Sequence, residues 1–398
     1  MVTIHRLNIL ARRAALAVCV LPFALLPSGG VAALTLVQGQ AQGQAKPQTQ
    51  QLAKAPPARA ANAASPDSDV LETYRGLAAA DKRVNAIGYR LALSARDWCR
   101  DTVPSLGWLL TDRAQYPAKD QRAAAMAYNT LWPESPDIII AAIAPGSPAA
   151  RGGFHVGEAV VAIDGQNLGE LAATAGDNKK KSGTFSRMGL IEQGMARWLA
   201  DGMAEVRVQN ALREGQGLSL QATLPVKAQS VCATRFSVTA DDEMNAAADG
   251  ARVQVTAALV EYATRDDELA AVIAHEFAHN ILKHRLALNA AGISRGLFQQ
   301  FGRNARLTRQ SEDEADQLSV WLLAKAGYDP YAAARMWERF GPEHDGGILR
   351  SKTHGSWKDR RDAMRREADL VTRALAADPS ARPALVTRIP AKAKGARK

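Results

Sequence analysis

The stretch that decides the fold is Asp266–Leu288, DDELAAVIAHEFAHNILKHRLAL, which contains His275-Glu276-Phe277-Ala278-His279. From Leu269 onward it contains no glycine or proline, so it predicts one unbroken helix. Residues four apart share a helix face, so the two histidines stand about one turn apart and can bind one metal ion. The glutamate lies beside that face, where its carboxylate reaches a water on the metal rather than the metal itself.

Apolar residues surround these three side chains on nearly every side of the predicted helix. They are Ala270, Ala271, Val272, Ile273, Phe277, Ala278, Ile281 and Leu282. A helix that is apolar all round is buried in a protein core. Burying a glutamate and two histidines there is costly unless they are paired or bound to a metal. The alternative is a pair of core histidines beside an unrelated glutamate, which the low count of seven histidines disfavours.

An acidic stretch, Ser311-Glu312-Asp313-Glu314-Ala315-Asp316, opens the next predicted helical segment. Glu312 and Asp316 are four residues apart and therefore share a face of that helix. A catalytic zinc ion binds three protein residues and keeps one position open, so we predict Glu312 as the third ligand. We predict Asp316 as the acceptor that fixes the tautomer and orientation of one imidazole. The alternative role of such a cluster is to complement the helix dipole.

These motifs, followed by Ala326-Gly327-Tyr328-Asp329-Pro330, resemble the HtpX-like, Oma-like and BepA-like metallopeptidases, relatives of the CAAX prenyl endopeptidase in metallopeptidase family forty-eight. The resemblance covers roughly residues 70–99 and 232–370. It implies an α+β fold whose peptidase domain is a mostly helical, gluzincin-type zincin with a small sheet. It also implies that the strand predicted at Arg252–Thr256 lies along the cleft and pairs with an extended substrate.

The resemblance implies a zinc-dependent endopeptidase with one zinc ion per chain. His275, His279 and Glu312 would bind the zinc, and Glu276 would take the proton of the attacking water. Thr353-His354 and Arg360 resemble a later Thr-His-Pro…Arg element of the family, with Gly355 in place of the proline.

In that later element, His354 would face the metal and either stabilise the oxyanion or occupy the open position at rest; the alternative is an ordinary surface histidine. Arg360 would orient the acidic ligand or the substrate. His284 and His344 match no motif, so we predict packing roles for both.

A second resemblance lies in the middle of the chain. The segments Pro145-Gly146-Ser147-Pro148-Ala149, Gly153-Phe154, Gly157-Glu158 and Ile163-Asp164-Gly165 are similar to a PDZ domain. PDZ domains bind extended peptides by adding a strand to a sheet edge. The resemblance implies an inserted, β-rich PDZ-like domain with a peptide ligand, and Leu106-Gly107-Trp108 is a candidate for its carboxylate-binding loop.

The predicted domain order begins with an export signal. Arg6, Arg12 and Arg13 precede the apolar run Ala14–Leu26, and small residues follow, as in a signal peptide, although an uncleaved anchor fits as well. The order is a signal peptide at 1–33, a flexible linker at 34–69, the first part of the peptidase domain at 70–105, the PDZ-like domain at 106–228, the zinc metallopeptidase domain at 229–372 and a basic disordered tail at 373–398.

Export allows Cys99 and Cys232 to form a disulfide at the two ends of the inserted domain; the alternative is two buried thiols that never meet. An exported chain would work in the periplasm or at the cell envelope. There its substrates would be misfolded or unfolded polypeptides.

The composition of the chain limits the classes of binding partner that we expect. Hydrophobic residues make up 47% of the chain and charged residues 23%, as in ordinary globular proteins. The net charge of +10 allows peripheral association with an anionic membrane, but basic residues on solvated surfaces are the commoner explanation. The lack of a nucleic-acid motif predicts no nucleic-acid partner. The alternative function is a PDZ-bearing chaperone or adaptor with a latent or structural zinc site. A membrane-embedded prenyl-type protease is disfavoured because the mature sequence has no long apolar span.

Overall fold

The computed structural model describes residues 67–130, 132, 136–170, 185–210, 220–293, 302–343 and 356–387. The predicted signal peptide, almost all of the predicted linker, and His354 lie outside the described residues. The described helices are α1 (Ser68–Ser94), α2 (Gln121–Ala127), α3 (Pro148–Arg151), α4 (Phe185–Trp198), α5 (Ala257–Tyr262), α6 (Asp266–Ile281), α7 (His284–Ala290), α8 (Gly302–Lys325), α9 (Ala332–Glu343), α10 (Trp357–Ala377) and α11 (Ala384–Thr387).

The strands belong to three sheets. They are β1 (Thr102–Ser105), β2 (Trp108–Asp112), β3 (Ile138–Ile143), β4 (Ala159–Ile163), β5 (Gln166–Asn167), β6 (Met203–Asn210), β7 (Leu220–Lys227), β8 (Gln229–Cys232), β9 (Arg235–Thr239), β10 (Ala246–Ala248) and β11 (Arg252–Thr256). The largest sheet has the antiparallel order β2-β3-β4-β6-β7, with β5 paired to β4. A three-stranded sheet has the order β10-β11-β9, and β1 pairs with β8 alone. The chain therefore combines helices with sheets, as the sequence predicts.

The large sheet is buried on both faces, which explains why its central strand β3 is almost wholly apolar. Successive residues of a strand point to opposite faces. Ile140 joins a cluster with Met188 and Ile191 of α4, whereas Ile139 joins another with Ala124 and Tyr128. We refer to the part of the chain from β2 to β7 as the inserted module.

A second core surrounds α6, whose apolar residues face neighbours on all sides. Phe277 is fully buried and belongs to one cluster with residues of α1, α8, α9 and α10. The sheet β10-β11-β9 lies against the same helix: Phe236 of β9 makes an edge-to-face contact with Phe277 at 5.6 Å between ring centroids. We refer to this part, which contains the helices of the predicted peptidase domain, as the peptidase core.

Helix α1 connects the two regions. Val84, Ile87 and Leu91 are buried in the peptidase core, whereas Tyr74 and Ala78 pack against the module. Polar contacts reinforce this arrangement along the helix. The Tyr128 hydroxyl donates to Oδ2 of Asp81 at 2.7 Å, and Asn85 Nδ2 donates to the carbonyl of Gly107 at 3.2 Å.

The chain enters and leaves the module through the antiparallel pair β1–β8, in which Thr102 stands opposite Cys232. Cys99 and Cys232 form a disulfide with their Cα atoms 5.6 Å apart. Of the two alternatives for these cysteines, the structure therefore contains the bridge. Among the described residues, no helix combines the length and the apolar character needed to cross a bilayer.

The structure differs from the predicted helix boundaries in two places. The helix predicted to run unbroken to Leu288 ends at Ile281, because Lys283 adopts a left-handed conformation with φ of 58°. No glycine or proline marks that turn, so the sequence pattern did not reveal it. The acidic stretch from Ser311 does not open a helix, since α8 already begins at Gly302; dipole complementation therefore does not account for it.

The prediction of a disordered tail from residue 373 was wrong for its first part. Helix α10 continues to Ala377, and α11 follows at Ala384–Thr387. Leu385 and Val386 are buried in the peptidase core, and burial of apolar side chains stabilises this segment. The basic residues 388–398 lie outside the described residues.

Candidate metal centre

Three predicted ligands meet between α6 and α8. Nε2 of His275 lies 3.3 Å from Nε2 of His279 and 3.3 Å from Oε2 of Glu312. Nε2 of His279 lies 3.6 Å from Oε1 of Glu312. Spacing of four residues on α6 brings the two imidazoles together, and the packing of α8 against α6 supplies the carboxylate.

The donor set and its spacing fit a zinc ion. Two imidazole nitrogens and one carboxylate oxygen are typical donors of catalytic zinc sites. Tetrahedral zinc with bonds of ~2.0–2.2 Å separates its donor atoms by ~3.3–3.6 Å, and the measured separations are 3.3, 3.3 and 3.6 Å. Among the described residues, these three form one group of side chains able to share a metal ion.

Asp316 lies behind His275, as predicted for an acceptor that orients an imidazole. Its Oδ1 is 2.9 Å from Nδ1 of His275. Arg360 holds both oxygens of the same carboxylate, with Nη2 and Nε each 2.7 Å from an oxygen. The guanidinium of Arg360 also lies 4.1 Å from the ring centroid of Trp337. Arg360 is thus placed to orient Asp316, which in turn faces a predicted ligand.

The charges of this cluster alter one another. Burial lowers the pKa of His275, but contacts with Asp316 and Glu312 outweigh burial and raise it to about 10. Burial raises the pKa of Asp316, but Arg360 and His275 outweigh it and lower the pKa to about 2. The histidines likewise hold the pKa of Glu312 well below its usual range, against the effect of burial. Both carboxylates are therefore anionic at neutral pH, as binding to a cation requires.

His284, for which the sequence predicted only packing, lies behind His279. Its Nδ1 is 2.9 Å from Nδ1 of His279, and its Nε2 is 3.2 Å from Oε2 of Glu314. Gln310 Nε2 donates to the other oxygen of Glu314 at 2.9 Å. His284 is buried, with 5% of its surface exposed. Sequence reasoning missed this contact because it assumed that α6 continued past Lys283.

Asn280 is a second residue that sequence reasoning missed. It is buried, and its side chain accepts a hydrogen bond from the backbone N–H of Gly250 at 2.7 Å and donates to the carbonyl of Arg252 at 3.2 Å. Gly250 has a φ of 96° and lies in the turn between β10 and β11. Asn280 therefore fixes this hairpin to the helix that carries His279. The signal available in the sequence was a polar side chain between the apolar residues Ala278 and Ile281.

A cavity of about 500 Å³ opens over the three ligands, and Glu276 lines it together with them. One wall is β10 with the residues before it, from Met244 to Ala248. The strand predicted to pair with a substrate, β11, lies between β10 and β9 and has no free edge, so that prediction was wrong for β11. The strand beside the cavity with an edge unpaired within the described chain is β10. Apolar side chains of α9 form part of another wall: Ala333, Met336, Trp337 and Phe340. The cavity thus presents Glu276, the candidate ligands and a strand edge to one space.

Comparison with known proteins finds similarity in two segments of the chain. The model of Peptidase family M48 matches residues 214–301, and the model of the PDZ domain matches residues 139–176. The chain is 30% identical over 108 residues to the mitochondrial metalloendopeptidase OMA1 of Schizosaccharomyces pombe, which covers 23% of this chain and 32% of that protein. It is 27% identical over 108 residues to the same-named protein of Saccharomyces cerevisiae, covering 23% and 31%.

The matched region thus spans about a third of the length of these relatives. The resemblance predicted from the motifs is confirmed, since the chain contains a segment of this metallopeptidase family and a PDZ segment.

Proposed function

We propose that the protein is a zinc-dependent endopeptidase of the gluzincin type, with zinc bound by His275, His279 and Glu312. The observation that supports this proposal most strongly is the convergence of the three donor atoms at 3.3–3.6 Å beside a cavity that Glu276 lines. The metallopeptidase family match and the metalloendopeptidase relatives support the same class.

In the proposed mechanism, the residues of the chain position the substrate and move one proton. When bound, zinc acidifies a water molecule and polarises the scissile carbonyl. Glu276 accepts a proton from the attacking water and delivers it to the leaving amine, so that no covalent bond to the protein forms. Water adds across the peptide bond, which breaks into a carboxylate and an amine.

The edge of β10 offers a way to hold the substrate. An extended polypeptide that pairs with this edge is recognised through its backbone rather than through a particular sequence. Asn280 keeps the β10–β11 hairpin in register with α6, so a paired substrate lies at a fixed height over His275 and Glu276. Unfolded polypeptides expose such backbone, which supports our proposal that misfolded or unfolded proteins are the substrates.

We further propose that the chain is exported and acts in the periplasm or at the cell envelope, where peripheral association with anionic membranes is open to a chain of net charge +10. The disulfide between Cys99 and Cys232 supports an oxidising compartment. In this proposal, the PDZ-like module binds a peptide and thereby recruits substrate or regulates the peptidase.

The decisive experiment compares the zinc-loaded protein with Glu276→Gln, after the zinc content of both has been measured. We expect the wild type to cleave unfolded casein and the variant to bind zinc without cleaving, because glutamine cannot accept the proton. Cleavage by the variant at the wild-type rate would exclude Glu276 as the base. If neither protein cleaves while both hold zinc, the endopeptidase proposal fails and a chaperone or adaptor role takes its place.

A further inference from the structure

We propose that His284 and Glu314 position His279 for metal binding, so that each ligand histidine has its own partner behind it. This inference rests on the proposed function, because it takes His279 as a zinc ligand. The contacts that α7 and α8 make with the His279 imidazole determine its orientation.

The two ligand histidines present the same atom to the site. Their Nε2 atoms lie 3.3 Å apart and both face Glu312, so their Nδ1 atoms point away from it. Behind His275, the Nδ1 atom meets the carboxylate of Asp316 at 2.9 Å. Behind His279, the Nδ1 atom meets Nδ1 of His284 at 2.9 Å. Ligand histidines almost always donate their second N–H to a partner, and here the partners differ in chemistry.

The positions of the protons follow from the use of Nε2 as the ligand atom. A neutral imidazole carries one N–H, so a His279 that binds metal through Nε2 carries its proton on Nδ1. That N–H donates to Nδ1 of His284, which must therefore be the unprotonated nitrogen of the second ring. The proton of His284 is then on Nε2, 3.2 Å from the carboxylate of Glu314. Gln310 donates to the other oxygen of Glu314 and completes the chain of hydrogen bonds.

The backbone turn at Lys283 allows the side chain of His284 to contact that of His279. On a continuous helix, residues five apart lie roughly 140° from each other around the axis, so His284 would point away from His279. The left-handed conformation of Lys283 ends α6 and starts α7 at His284. Such a conformation costs ~1–2 kcal/mol for a residue other than glycine. Contacts around the turn, such as that of Lys283 Nζ with Oδ2 of Asp101 at 3.2 Å, offset this cost.

His284 does not act as a further ligand in this arrangement. Its Nδ1 contacts the side of His279 opposite to the atom that faces Glu312, and its Nε2 contacts Glu314. It is also outside the group of side chains whose donor atoms converge. His284 is therefore a positioning residue, and its loss should weaken metal binding without removing a ligand.

The test measures zinc affinity by competition with a chromophoric chelator, so that proteolysis is not required. We expect His284→Leu to weaken zinc binding about 10–100-fold, because a leucine cannot accept the Nδ1–H of His279. We expect His284→Gln to recover most of the affinity, because its amide oxygen accepts and its amide nitrogen donates to Glu314. His155→Leu is the matched control, since His155 is an exposed histidine of the module that contacts Glu158, and it should bind zinc as the wild type does.

A second pair of measurements separates positioning from folding. Glu314→Leu, which changes a partly exposed side chain, should weaken zinc binding in the same direction by a smaller factor. If His284→Leu does not fold, Glu314→Leu decides the result. Zinc affinity within about threefold of the wild type for the folded leucine variants would overturn the inference. Wild-type zinc binding without proteolysis would overturn only the proposed function.

Discussion

The peptidase core and the inserted module both bury carboxylates, but the partners of these carboxylates differ in how far away they lie along the chain. In the module, Asp112 accepts from the backbone N–H of Ala114, and Glu158 accepts from that of His155. In the peptidase core, Asp316 contacts Arg360, 44 residues away. The former contacts shape a single turn, whereas the latter bring separate helices together. Of these three carboxylates, the one with the distant partner is the one that lies at the site.

The largest expected effect concerns the disulfide that joins the two segments flanking the module. The disulfide closes a loop with a sequence separation of 133 residues, so Cys99→Ala/Cys232→Ala should lower the free energy of unfolding by about 4–5 kcal/mol in the chain-entropy model. Urea unfolding under oxidising conditions measures this loss. Addition of a reductant should destabilise the wild type and leave the double variant unchanged; equal sensitivity of the two proteins would contradict the prediction.

The next effect contrasts two arginine–carboxylate pairs. Arg360→Leu leaves the buried Asp316 without its cation and should lower the free energy of unfolding by about 3–5 kcal/mol. Arg113→Leu breaks the module pair with Asp137, whose side chains are 29% and 30% exposed, and should cost about 1 kcal/mol or less.

Urea unfolding of both variants, with zinc affinity measured in parallel, checks this contrast. Only Arg360→Leu should also weaken zinc binding, because Asp316 faces His275. Similar losses of stability for the two variants would remove the contrast between the regions.

Asp81 is a carboxylate outside the site whose partner, Tyr128, lies 47 residues away along the chain. It therefore tests how far the comparison holds. Burial raises its pKa from 3.8 to about 6, although the hydrogen bond from Tyr128 lowers it. The folded state therefore binds the proton more tightly, and this stabilisation is complete below pH 4 and lost as the pH rises through 6.

Asp81→Asn stays neutral and keeps an acceptor for Tyr128. It should therefore gain about 1–3 kcal/mol of stability relative to the wild type between pH 4 and pH 7. Urea unfolding of both proteins across this range measures the gain. A stability difference that does not change with pH would contradict the prediction.

The smallest effect concerns a local cap in the module. Asp112→Ala removes the side chain that accepts from Ala114, and loss of such a cap costs about 0.5–2 kcal/mol. Zinc affinity should stay at the wild-type value, because the contact orients a single turn. A fall in zinc affinity would show that the module's carboxylates also influence the site.

Helical periodicity placed His275 and His279 on one face of a helix, because residues four apart share a face. Glu312 and Asp316 were predicted from the third ligand and the imidazole partner that a catalytic zinc site needs, and the structure places both beside His275. Periodicity failed at His284, since the left-handed turn at Lys283 has no glycine or proline to mark it.

Sequence patterns also could not predict the contacts between the two regions. The sequence of α1 predicts one amphipathic helix, yet its first half packs against the module and its second half against the peptidase core. The burial of Leu385 and Val386 depends in the same way on a distant core. Local patterns describe which face of a segment is apolar, but the partner of that face is decided by the rest of the chain.

The antiparallel pair β1–β8 gives the module the geometry of a replaceable insertion. Its entry and exit strands are neighbours, and the bridged cysteines that flank them have Cα atoms 5.6 Å apart. A domain whose termini lie about one strand spacing apart, ~5 Å, matches the geometry of this insertion point. Recombination or an engineer can therefore exchange the module here, provided that the replacement also covers the face of α1 that packs against it.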